Sequence, residues 1–190
     1  MVKPAMTTAT RKRPNRRMRA TLWWAGIFVG AFTVGPVHGE IVASRPDHMS
    51  LSYAVELNGD RQVAWQHLTE INTWWSSDHT YSGKAETLSL QPVAGGCWCE
   101  TWAGGSVEHA RVVLAMPGRL LRLEGGFGPL QGLGVSAILT FELKPSDDPN
   151  HTRLKVSYVV NGSSLSGLDG LAGPVDAVMG AQIANLAKLK

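Results

Sequence analysis

Between residues 85 and 160 the chain is built almost entirely of short stretches that alternate apolar and polar residues, and one long helical pattern follows them. Alternation with a period of two marks half-buried strands. The stretches are 85–91, 97–102, 107–115, 119–124, 135–144 and 152–160, separated by Gly, Pro, Asn and Asp turn signals. An earlier one, MSLSYAVEL at 49–57, alternates in the same way and breaks at Asn58-Gly59-Asp60. Over 169–188, Leu171, Val175, Val178, Met179, Ile183 and Leu186 recur at helical spacing. Strands joined by hairpin links and segregated from the helices predict the α+β class, with about seven antiparallel strands. The sheet must bury one face, and the final helix carries the apolar stripe to cover it.

A shorter helix follows the first strand. Asp60 can cap it, because a carboxylate accepts from the free amides of a first turn. Val63, Ala64, His67, Leu68 and Ile71 keep helical spacing, and Trp74-Trp75 mark where the helix ends or kinks. Pro174 is read as a first-turn proline of the last helix. Gly180 lies within that helix and weakens it by about 1 kcal/mol against Ala. The glycine-rich stretch 125–134 contains Phe127, Pro129 and Leu130, and is read as a lid.

Charge locates the ends of the domain. The formal net charge is +3, yet residues 1–39 hold Lys3, Arg11, Lys12, Arg13, Arg16, Arg17 and Arg19 and no acid. From residue 40 onward the balance is acidic, at about −4 by residue count. No nucleic-acid surface is implied. The basic segment is followed by an apolar run at 20–34 and by Val37-His38-Gly39, in which Val37 and Gly39 are small enough for a cleavage site before Glu40. This is the three-part pattern of a cleaved export signal. A retained anchor is the competing reading, but a span needs about twenty apolar residues and this run is shorter and holds Gly26 and Gly30. Arg16-Arg17 raises the twin-arginine route, which the residues after the pair fit poorly. The expectation is an export signal at 1–39 and one domain at 40–190. Its location would be periplasmic or secreted, with no stable membrane association after cleavage.

The stretch GGCWCETWAGGSVEHAR, residues 95–111, concentrates the chemistry. Zinc sites draw cysteines with two to four residues between them and need further ligands, and Cys97 and Cys99 have one residue between them. His79 or His109 would have to complete such a site, so no metal is expected. Cα atoms two apart in a strand lie about 6.6 Å apart, which strains a Cys97–Cys99 disulfide unless the strand is bulged. Gly95-Gly96 could permit the bulge. The alternative is two buried thiols packing the inner face. Glu100 and His109 form the other candidate pair. If Trp102 opposes Val107, then Glu100 opposes His109, and both share a face with Trp98 and Arg111; a one-residue slip puts His109 with the cysteines.

The segment VAWQHLTEINTWWSSD (63–78), with HTYSG (79–83), GGCWCE (95–100), VEH (107–109) and GPLQ (128–131), resembles the START-like, or SRPBCC, superfamily, and within it an exported subgroup. The resemblance covers most of residues 47–189. It implies the helix-grip fold, in which a curved antiparallel sheet wraps a long C-terminal helix around an internal cavity. It also implies a small hydrophobic or amphipathic ligand in that cavity and no cofactor. Candidate ligand contacts are Trp75, Tyr81, Trp98, Glu100, His109, Arg111 and Phe127, with His79 near the mouth. The superfamily also contains enzymes, so cyclase or dehydratase chemistry by Glu100 and His109 is an alternative. A protein-interaction module is the third reading. Fold alone does not choose among them.

Overall fold

A computed structural model describes residues 38–190. Apart from His38 and Gly39, the expected export signal lies outside these residues. No described helix is long and apolar enough to cross a membrane.

The strands are β1 (His38–Arg45), β2 (His48–Asn58), β3 (Leu88–Leu90), β4 (Cys97–Trp102), β5 (Gly105–Met116), β6 (Leu120–Glu124), β7 (Ser136–Pro145) and β8 (His151–Asn161). The helices are α1 (Arg61–Thr69) and α2 (Leu168–Leu186). All eight strands form one antiparallel sheet in the order β1-β2-β8-β7-β6-β5-β4-β3. This is the expected α+β architecture, with one strand more than expected. The additional strand is β1, which pairs with β2 from His38–Ala54 to Arg45–His48. It was hidden because Pro46 and Asp47 follow it closely and its outer residues, Ile41 and Val42, are exposed.

Alternation in sequence becomes alternation in burial. Leu154, Val156, Tyr158 and Val160 of β8 point inward, as do Ala137, Leu139, Phe141 and Leu143 of β7. Each inward Leu or Phe contributes about 1.5–3 kcal/mol on leaving water, so the face that α2 and α1 cover is strongly specified. Helix α2 packs along β1 and β2. There the Tyr53 hydroxyl donates to Asp176 Oδ1 at 2.7 Å, tying the sheet to the helix.

Local signals place α1 as expected. Asp60 accepts from the amides of Gln62 (2.8 Å) and Val63 (3.0 Å). The helix buries Ala64, Trp65 and Leu68; Val63 and His67, expected on the same stripe, are not buried. The stretch expected as strand 85–91 is a 3₁₀ turn at Ala85–Thr87 followed by the short β3. Helix α2 starts at Leu168, so Pro174 lies in its second turn rather than its first. Lacking an N–H, Pro174 cannot donate to the Gly170 carbonyl, and its ring faces the cavity described next.

Candidate functional site

A cavity of about 450 Å³ lies between α2 and the sheet. Its helix wall is Leu171, Pro174, Val175, Val178 and Met179. His109 of β5 and Tyr158 of β8 form the sheet wall. Two loops close the sides: Trp75 with His79, Thr80 and Tyr81, and Phe127 with Gly128 and Pro129. The lining is mostly apolar and aromatic, with a few polar groups, as in small-molecule sites generally.

The β4–β5 hairpin sets the chemistry of this wall. Trp102 pairs with Gly105, so the turn is Ala103-Gly104 and not the four-residue loop expected from the sequence. Glu100 therefore pairs with Val107, not with His109. The register then jumps from Cys99–Glu108 to Trp98–Ala110, leaving His109 as the extra residue of a β-bulge. The bulge turns both His109 and Ala110 inward. It also reverses Arg111, which pairs with Cys97 and stands on the outer face, bonded to Glu108 at 2.7 Å. Arg111 is thus not a cavity residue.

The same register puts Cys97 and Cys99 on the outer face of β4. They are bonded to each other with Cα atoms 5.3 Å apart, inside the range a bridge tolerates. They are not thiols packed on the inner face. His109 points the other way, and although Glu108 lies near the sulfurs, both sulfurs are taken up by the bridge.

Glu100 is fully buried and His109 is 6% exposed, with Nε2 3.0 Å from Glu100 Oε2. The carboxylate also accepts the amide N–H groups of Tyr81 (3.0 Å) and Ser82 (2.5 Å). Burial alone would raise the Glu100 pKa. Hydrogen bonds from the Ser82 side chain, the two amides and His109 outweigh it, and the group stays below the ordinary carboxylate value. Burial pushes the His109 pKa down, and the neighbouring Glu100 only partly offsets this. The stable pair at neutral pH is therefore a carboxylate and a neutral imidazole. A carboxylate can only accept, so Nε2 carries the imidazole proton. That leaves Nδ1 with a free lone pair. It has no hydrogen-bond partner among the described residues and is not among the buried unpartnered atoms, which are Glu56 Oε2 and Gln182 Nε2. His109 lines the cavity, and Nδ1 is the ring nitrogen left without a partner.

Supporting contacts hold the loops in place. The Trp75 indole donates to the His79 carbonyl at 2.9 Å, and the Ser76 amide donates to buried Gln182 Oε1 of α2 at 2.7 Å. Tyr158 donates to the Gly125 carbonyl (3.1 Å) and accepts the Phe127 amide (3.3 Å). This pins the start of the second loop and uses both sides of the hydroxyl. Gly125 itself sits so close to the bulge that a Cβ there would collide with the His109 carbonyl oxygen and Ala110.

Of the residues expected to meet a ligand, Trp75, Tyr81, His109 and Phe127 line the cavity. Trp98 does not: it lies behind the wall, with its ring centroid 5.0 Å from those of both Trp75 and Phe127. Glu100 reaches the cavity only through His109. Tyr158 was not singled out from sequence, although its inward position follows from the alternation of β8.

No family model matches the chain, and no curated protein matches it. Solved structures do share its fold. A conserved protein of unknown function from Enterococcus faecalis aligns over 80% of this chain and 75% of its own, with TM-score 0.54 and 12% identity. A protein from Rhodobacter sphaeroides aligns over 79% and 95%, with TM-score 0.51 and 15% identity. The di-domain aromatase/cyclase of the steffimycin biosynthetic pathway aligns over 75% of this chain and 50% of its own, with TM-score 0.50 and 13% identity; the likeness spans half of that protein. At these identities the likeness is one of fold: a single antiparallel sheet packed with a C-terminal helix, consistent with the helix-grip architecture.

Proposed function

We propose that this chain is an exported member of the START-like superfamily that binds a small hydrophobic or amphipathic molecule between α2 and the sheet. The observation that carries the reading is the cavity of about 450 Å³, with its apolar helix wall and the unpartnered Nδ1 of His109 among its few polar groups. That volume suits a drug-sized ligand of roughly a few hundred daltons. Trp75 and Phe127 provide flat contact surfaces, with Trp98 behind them and Tyr158 beside Phe127 on the wall. The membership rests on the sequence motifs together with the shared fold. The export reading rests on the N-terminal sequence pattern.

The test is uptake of an apolar fluorescent probe, followed through the emission of Trp75 at the cavity wall. Saturable uptake that Val178→Trp abolishes by filling the cavity supports the reading. No uptake by the folded protein contradicts it.

One observation favours a second reading. A buried carboxylate 3.0 Å from a neutral imidazole holds one tautomer, which a general base requires. In cyclase or dehydratase chemistry His109 Nδ1 would take the proton from the substrate, and Glu100 would be the positioning residue. Turnover lost in His109→Gln while probe uptake persists would favour this reading over binding alone.

A further inference from the structure

The hydrogen-bonding of the dyad defines the chemical class of the ligand, and this step rests on the cavity being a ligand site. Tyr158 spends its donor on the Gly125 carbonyl and its acceptor on the Phe127 amide. The Tyr81 hydroxyl donates to Gln131 Oε1 at 3.3 Å, and Tyr81 is 54% exposed, so it stands at the mouth. His79 and Thr80 belong to the same outer loop. No Lys or Arg lines the cavity; the nearby cation of the hairpin, Arg111, is on the other face of the sheet. His109 remains, with its Nε2–H committed to the Glu100 carboxylate, which also accepts the Tyr81 and Ser82 amides, and its Nδ1 unpartnered.

We infer that the ligand is an uncharged molecule carrying a hydrogen-bond donor, such as a hydroxyl on a flat apolar body, which donates to His109 Nδ1, and that carboxylate-bearing amphiphiles such as fatty acids are rejected. A lone pair facing a lone pair is repulsive, and a buried anion here meets no cation to offset its lost hydration. Glu100 lies directly behind the imidazole and adds a second negative charge against an incoming one. The depressed pKa of His109 acts in the same sense, since it keeps the ring neutral and Nδ1 an acceptor. Discrimination by a donor and acceptor placed in an apolar wall is steep, because the mismatched partner leaves a buried polar group unpaired.

Three naphthalenes of similar shape make the test: naphthalene, 2-naphthol and 2-naphthoate, titrated at pH 7.5 against the wild-type protein with tryptophan emission as the readout. The expected order is 2-naphthol tenfold or more tighter than naphthalene, and 2-naphthoate the weakest. In His109→Leu, checked for native tertiary packing by near-UV circular dichroism, the ratio of naphthol to naphthalene affinity falls toward one. Equal binding of naphthol and naphthalene by the wild type, or preferred binding of naphthoate, overturns the ligand class and leaves the cavity reading standing. Binding of none of the three overturns both.

Discussion

His109 is the extra residue of a β-bulge and not the cross-strand partner of Glu100, yet Nε2 and Oε2 lie 3.0 Å apart in a buried setting. The carboxylate collects this bond and two loop amides, so one side chain joins β4, β5 and the 79–83 loop. Removing it leaves two amide donors and an imidazole N–H without a partner. Glu100→Ala should therefore lower stability by about 2–4 kcal/mol, read by chemical denaturation. Amide exchange at Tyr81 and Ser82 should accelerate in the same variant. Unchanged exchange at those two amides would show that Glu100 does not hold the loop.

Acid should weaken the fold through the same pair. In the folded protein His109 lies below its ordinary value of 6.5 and Glu100 below its ordinary 4.5. The unfolded chain thus binds more protons than the folded one as pH falls. The stability these groups contribute is complete above about pH 6.5, declines first as the His109 difference develops, and declines again below about 4.5. The groups facing His109 are Glu100 behind it and, across the cavity mouth, His79 and Tyr81. His109→Gln should flatten the part of the stability–pH curve just below 6.5. An identical slope in the variant would assign that acid sensitivity to other histidines.

Gly125 tests the geometry of the bulge from the far side. A methyl group there must displace the His109–Ala110 backbone. Overpacking of this kind costs about 1–3 kcal/mol. Gly125→Ala should show that loss together with weaker naphthol binding. A variant with native stability and affinity would mean that the bulge yields freely and does not position His109.

The outer-face bridge should matter little to the cavity. It closes a loop of only three residues, which limits its effect on the unfolded chain to about 1.5 kcal/mol. Thiol titration of the exported protein should find no free thiol before reduction and two after. Cys97→Ser/Cys99→Ser should retain probe affinity within about twofold. A large loss of affinity would show that the bridge shapes the inner face through Trp98.

Strand periodicity made most of the sheet legible, because an inward residue at every second position is a strong repeated signal. The hairpin was misread in register for a local reason. Ala103-Gly104-Gly105-Ser106 offers several turns, and a bulge changes which residue faces inward without leaving a mark in composition. Glu100 and His109 were still recognisable as a pair, since residues 107 and 109 share a face in either register. Arg111 was not placed correctly, because it lies beyond the bulge and inherits the opposite face. Spacing left either Trp98 or the cysteines as the inward set of β4, and the depth of Trp98 behind Trp75 and Phe127 depends on three elements meeting. β1 lacked a buried alternation of its own and shows itself only through pairing with β2.

The central claim is that the space between α2 and His109 takes up a small apolar molecule. Native mass spectrometry of the protein exported by its own host tests it most directly. The account predicts an added mass of roughly a few hundred daltons, lost on denaturation and absent from Val178→Trp. A bare polypeptide mass, combined with failure of the folded protein to take up naphthalene or 2-naphthol at near-saturating concentration, would contradict it.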